Sequence, residues 1–270
     1  MSPTKPDSIT ADSWSKPPAI ANPVLRYGLM LAVAVYLVWA LSTLPFDWNR
    51  VSDGMGRAGR IFAGAFPPNF ARPSLMIEGF LESLQIAVIA TAAGVLLSVP
   101  IALTAARNLA PMPIYLIGRA IIICARSFHP VIVAIIFVKA VGFGALAGML
   151  TLTVYSIGFV AKMLAERIEE IDWGQVEAVR SAGATYLSTL IYAVFPQIMP
   201  RQIGLSIYQL DSNLRASAVV GIVGAGGIGA TLANAFKRYD YDFALAIIMV
   251  IVGAILISEA VSGMIRKRIW

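Results

Sequence analysis

Four polar side chains stand where water is scarce. Asp211, Asn213 and Arg215 interrupt the apolar run 198–222, and Arg126 interrupts the apolar run 117–141. An ion in lipid is costly enough that it must face a partner or water. Asp211 and Arg215 are spaced i, i+4, so they can pair on one helical face. Two roles stay open for that pair: a lock between helices, or one wall of a path on which Arg215 and the Asn213 amide offset the charge of a passing oxyanion. Arg126, in Arg-Ser-Phe-His-Pro, is a second candidate for such a path, whereas Lys139 is placed to snorkel to an interface. Other chemistry is excluded by count. One Cys and one His leave no intrachain disulfide, no Cys/His metal cluster and no thiol–imidazole pair beyond Cys124 with His129. Cys124 lies in an apolar run and reads as a buried, inert thiol. No catalytic or metal-binding residue is expected.

A second polar feature, residues 166–196, separates two apolar stretches. Asp172 and Gln175 have capping-box spacing, which predicts a helix from Trp173. Gly183 suits the left-handed residue past its end, and Thr185 can cap a second short helix that stops before Pro196. A charged helix–Gly–helix hairpin of this kind is a shape that a soluble partner can grip.

The elements that position these groups are membrane spans. Hydrophobic residues make up 58% and charged residues 13%, values far from those of a soluble domain. Five prolines among polar residues mark 1–26 as a disordered tail rather than a signal peptide. Spans are expected at 27–44, 83–106, 117–141, 146–165, 198–222 and 243–265, with a Gly/Pro-rich loop at 45–72. Six spans put both termini on one side. That side carries twelve Lys or Arg, including Arg180 and the terminal Arg266-Lys267-Arg268, against six opposite. The bias favours cytoplasmic termini and a cytoplasmic hairpin, although four arginines in the first external loop point the other way. The net charge of +6 fits loop flanks, so no nucleic-acid partner is expected.

Gly144 and Gly148 form a Gly-x-x-x-Gly pair that permits close helix approach. Gly221, Gly224, Gly226, Gly227 and Gly229 close a stretch that begins at Asp211. Gly224 to Gly229 also fits a dinucleotide fingerprint, but that motif must follow a strand, and here spans flank it. A tight turn near an external gate is the better reading.

The hairpin resembles the "EAA" coupling loop of membrane subunits in ATP-binding-cassette importers: Glu177, Ala178, Gly183 and Pro196 match, while Val179, Ala193 and Phe195 depart by size. The run from Asp211 through Asn213 and Arg215 to Val223-Gly224-Ala225-Gly226-Gly227-Ile228-Gly229 resembles the permeases of phosphonate importers, and the likeness extends over 79–268. It implies an all-α type I permease fold of six helices. An N-terminal helix and external loop (27–80) precede a permease core (81–268) that contains the coupling loop. It also implies a bacterial inner-membrane homodimer, two cytoplasmic ATPase subunits that bind ATP and Mg in place of this chain, and an external binding protein. Glu177, Ala178, Val179, Arg180 and Gly183 would couple to the ATPase, with the Val176, Val179 and Ala182 side seated in it. The five glycines would form a gate turn. The expected cargo is a phosphonate or related phosphorus oxyanion, with another small solute such as methionine as the alternative. A secondary transporter would leave the hairpin unexplained, and a membrane enzyme would need a polar cluster that one His and one Cys do not supply.

Overall fold

The computed structural model describes residues 22–44 and 47–269. Of the disordered tail expected at residues 1–26, residues 1–21 lie outside them, and residues 23–26 are corrected to the first turn of a helix. The chain divides into two units, 1–58 and 59–270. Among the described residues the structure is helical, with no strand. Helix α1, Pro23–Thr43, starts earlier than the apolar pattern indicates, because Asn22 accepts from the Val24 amide at 3.0 Å and Pro23 opens the first turn. It is apolar on every side and buries no residue, as a lipid-facing helix should.

The expected loop at 45–72 is corrected: it holds helix α2, Trp48–Ala65. Its prolines fall outside the helix. Trp48, Val51, Met55, Ala58, Phe62 and Ala65 form one apolar stripe, with Arg50, Arg57 and Arg60 opposite, a periodicity that outweighs four interior glycines. Helix α3, Pro73–Ala105, carries Pro100 near its end, and helix α6, Ala145–Glu169, packs along it. Small residues line this contact, among them Ala90, Gly94, Ala102, Ser156 and Ala161, so the backbones approach closely.

The expected third span is also corrected. It breaks into α4, Met112–Ser127, and α5, Pro130–Val141, bent by 90°. Pro130 cannot donate an amide and forces His129 into an extended conformation, so the first helix ends there and a second begins. Cys124 is exposed rather than buried, because α4 buries only the face that bears Gly118 and Ile122.

Beyond α6 come α7, Trp173–Ser181, and a four-residue turn, α8, Tyr186–Thr189. The expectation that the second hairpin helix stops before Pro196 fails. A π turn over Leu190–Val194 carries the chain into α9, Phe195–Ile222, so Pro196 sits in a first turn that needs no amide donor. A tight turn leads to α10, Gly227–Lys237, and then to α11, Tyr241–Ile269. Among the described residues five helices are long and apolar enough to cross a membrane, and six when α4 and α5 count as one broken span. One apolar cluster, with Leu164, Ile168, Val176, Leu190 and Ile198, sits at the hairpin end. Two others, around Ile86, Leu152 and Val220 and around Met76, Ile228 and Phe243, hold the opposite half.

Candidate functional site

The hairpin is anchored from below. Asp172 caps α7 by accepting from the Gly174 amide at 2.9 Å. Its own amide donates not to Gln175 but to Gln197 Oε1 at 2.9 Å, and Gln197 Nε2 reaches back to the Ala193 carbonyl at 2.8 Å. The reciprocal half of the capping box is thus supplied by α9, which ties the hairpin to the foot of a span. Gly183 takes φ +81°, with its amide on the Arg180 carbonyl at 2.9 Å. Thr185 caps α8 through the Ser188 amide, as its position predicts.

Which side of the hairpin is free differs from the expectation. Val176 is fully buried and Val179 packs on the same cluster, so this apolar side grips its own chain instead of a partner. Glu177, Ala178, Arg180, Ser181, Ala182 and Gly183 are exposed. Glu177 has no partner among the described residues, and Arg180 lies over the Trp173 ring at 5.4 Å. Residues that the sequence did not single out complete the base. Glu169 Oε1 accepts from Arg119 Nη2 and from the Arg107 amide, both at 2.8 Å, and Asn108 donates to the Ile168 carbonyl at 2.7 Å.

In the helix core, Arg215 pairs with Asp211 at 2.7 Å. Asp211 is buried and also accepts from Ser258 of α11 at 2.9 Å, while the Arg215 side chain remains 41% exposed. The pair therefore has a dry end and an open end. Asn213 points elsewhere. It is 0% exposed, donates to Thr91 and Ser156 at 2.8 Å each, and accepts from Gln209 at 3.0 Å. Its amide is fully engaged in joining α3, α6 and α9, which corrects the expectation that it meets an anion. Gln209 and Asn213 stand one turn apart on α9, and that i, i+4 polar spacing was the available signal for the network. Arg126, exposed at the end of α4, has no hydrogen bond or ion pair among the described residues and borders cavities of about 380 and 320 Å³.

At the other end, Gly224, Gly226 and Gly227 take φ of +100°, +79° and +74°, values that side chains strain to adopt. Gly144 donates to the Gly224 carbonyl at 3.0 Å, and the Ile228 amide donates to Ser83 at 2.9 Å. Gly221 and Gly229 let α9 and α10 cross closely. Glu82, Phe143 and Lys237 border a cavity of about 450 Å³ beside this turn.

A bundle of span-length helices that projects an anchored polar hairpin and keeps a charged pair within its core is a membrane transport subunit. The chain belongs to the family of binding-protein-dependent transport system inner membrane components, whose pattern matches residues 98–270. It is 38% identical over 90% of its length to the phosphite transport system permease PtxC of Stutzerimonas stutzeri, of which it covers 88%. It is 40% identical over 93% of its length to the phosphate-import permease PhnE of Mycolicibacterium smegmatis, and spans about half, 48%, of that longer protein. Among solved structures, a chain of the MetNI methionine transporter in an inward-facing conformation superposes with a TM-score of 0.65 at 22% identity, covering 75% of this chain and 99% of that one. The fold is that of type I ATP-binding-cassette importer permeases. The chain is a multi-pass inner-membrane transport component, not an enzyme.

Proposed function

We propose that this chain forms the translocation path of an ATP-driven importer for a small phosphorus oxyanion, of the phosphonate, phosphite or phosphate type. The observation that carries the reading is the 38% identity, over nine-tenths of the chain, to a permease named for phosphite transport. The cations accord with it, since Arg126 and the open end of Arg215 offer guanidinium groups to an anion that a purely apolar wall would reject. The likeness to the methionine transporter, at 22% identity, speaks for fold alone.

Two copies of the chain would enclose the path, and an external binding protein would deliver the cargo. Cytoplasmic ATPase subunits, holding ATP and Mg themselves, would dock on the exposed Glu177, Ala178, Arg180 and Gly183 side of the hairpin. Val179, half-buried under it, would transmit the push into the cluster around Ile168. Both termini would be cytoplasmic, the orientation that the charge bias favours. The test is uptake of radiolabelled phosphite, phosphate and methylphosphonate by vesicles that hold the chain with its cognate ATPase and binding protein. Import of at least one, dependent on ATP, is the expected result. Import of methionine with none of the three would refute the reading.

A further inference from the structure

Three cavities on one face of the second unit form a single groove. The first, about 380 Å³, is bordered by Arg119, Arg126 and Lys162. The second, about 320 Å³, shares Arg126 and adds His129, Pro130 and Tyr155. The third, about 350 Å³, shares those last three residues and ends at Ser212 and Arg215. Shared lining residues set the three cavities side by side along this groove, and the 90° break between α4 and α5 lies at its middle.

The charges along it are one-sided. Four cations and a histidine border the three cavities, and among the described residues no Asp or Glu does. The nearby acids engage the cations at the two ends: Glu169 holds Arg119 at 2.8 Å, Glu166 holds Lys162 at 3.5 Å and Asp211 holds Arg215 at 2.7 Å. Arg126, in the middle, is uncompensated among the described residues. Its stem lies against Gly158 of α6, where a Cβ would come within 2.9 Å of Arg126 Cγ, so the glycine sets how closely the guanidinium stands to the groove. One turn on, His129 caps α5 with Nδ1 accepting from the Val131 amide at 3.4 Å. With Nδ1 engaged as an acceptor, Nε2 is the ring nitrogen left to donate to an anion. Tyr155 adds a hydroxyl donor, and the start of α5 adds the positive end of a helix dipole.

We propose that the break between α4 and α5 is an oxyanion station, in which Arg126, His129 Nε2–H and the Tyr155 hydroxyl hold one tetrahedral oxyanion between weaker stations at Lys162 and Arg215. The proposal rests on the import reading above and assigns where within the path the cargo pauses. Arg126 and His129 are exposed and Tyr155 is half-buried, so a hold on the anion there is weak and release is not impeded. The flanking cations are already neutralised by acids, so the anion meets one strong point and leaves it in either direction.

The chain has a single histidine, and that gives the station its own reporter. The full chain, labelled with 15N-histidine, purified on a tag without histidine and placed in nanodiscs, is titrated with methylphosphonate, phosphite and chloride at matched ionic strength. The expected result is movement of the His129 Nε2 resonance by both phosphorus oxyanions, with a midpoint of roughly 1 mM, and none by chloride. Arg126→Gln should raise that midpoint about tenfold, and Lys139→Gln, outside the groove, should leave it unchanged. Equal response to chloride, no response to any of the three, or indifference to Arg126→Gln overturns the station. Arg126 is exposed and unpaired, so its loss does not threaten the fold, and His129→Asn, which keeps a capping side chain, gives a second variant for uptake. Uptake that persists undiminished in both variants also overturns the station while leaving the import reading intact. Oxyanion binding at His129 in a chain that imports none of the tested phosphorus oxyanions would overturn the import reading instead.

Discussion

Asp211 and Arg215 form one pair in which the packing role and the proposed transport role can be separated by experiment. Asp211 is buried and held by Ser258 as well as by Arg215, so it needs a counter-charge whether or not cargo passes. Removing Arg215 alone leaves that carboxylate unpaired at a cost of about 3–5 kcal/mol. Removing both charges together, as Asp211→Asn with Arg215→Gln, should recover most of the loss. A thermal-unfolding cycle in detergent checks this, and a double variant no more stable than Arg215→Gln would contradict it. The recovered double variant should still take up phosphite about tenfold more slowly than the parent, a deficit of about 1.4 kcal/mol in barrier, because the open end of Arg215 has lost its charge. Undiminished uptake would make Arg215 a structural residue only. Asn213 should behave in the opposite way. Its four-residue network is closed and dry, so Asn213→Ala should cost about 0.6–2 kcal/mol of stability and leave the KM for phosphite unchanged. A raised KM in a stable Asn213→Ala variant would return it to the path.

At the scale of elements, the hairpin is a lever with one greasy side and one free side. Val176 and Val179 fix it to its own chain, Gln197 fixes its start, and Gly183 turns it. Nothing lies within 4 Å of a Cβ built at Gly183, so a substitution there acts through the backbone alone. Gly183→Val should therefore impose roughly 1–3 kcal/mol of local strain and lower the binding-protein-stimulated ATPase rate severalfold, with assembly unchanged. Gly183→Asn, which tolerates the left-handed region, should retain most of it. Normal stimulation in an assembled Gly183→Val complex would show that the turn geometry does not carry coupling. Much of this element was readable in advance, because Asp172, Gly183 and Thr185 act through local rules that spacing reveals. What spacing could not reveal was tertiary. Gln197 replaced Gln175 because a residue 25 positions away offered better geometry, and the apolar side of α7 turned inward because the core needed it more than a partner did. The 90° break at Pro130 was foreshadowed by the proline itself, although a continuous apolar run concealed it. The oxyanion groove was half legible: Arg126 and Arg215 stood out as charges in apolar runs, whereas Tyr155 and His129 became candidates only when folding set them beside each other.

If the hairpin docks an ATPase as proposed, the whole molecule must place it on the side where ATP is, and that requirement can be set against the charge distribution. Twelve basic residues on the side of the termini against six opposite favour a cytoplasmic hairpin, yet Arg50, Arg57 and Arg60 dissent. Helix α2 removes much of that conflict. The three arginines line one side of an amphipathic helix whose other side carries Trp48, Met55 and Phe62, so they read as the polar face of an interfacial helix rather than as a topology signal. The count of spans matters as much as the charges, because an odd number would put the two termini on opposite sides. If α4 and α5 together cross once, six crossings follow, and the hairpin shares a side with both termini. If they enter and leave on one side, five crossings follow, and residue 69 and the hairpin lie on the same side, since only α3 and α6 then cross between them. Cysteine accessibility decides between these. On a Cys124→Ser background, which removes the sole native thiol, Asn69→Cys should react with an impermeant maleimide from outside and Ser181→Cys only after the membrane is opened. Both positions lie outside the span-length helices, with Ser181 exposed and Asn69 half-buried, so labelling at 69 should be the slower of the two. Reaction of both from the same side would make α4 and α5 a re-entrant loop. Reaction of Ser181→Cys from outside alone would invert the chain and remove the hairpin from any cytoplasmic ATPase.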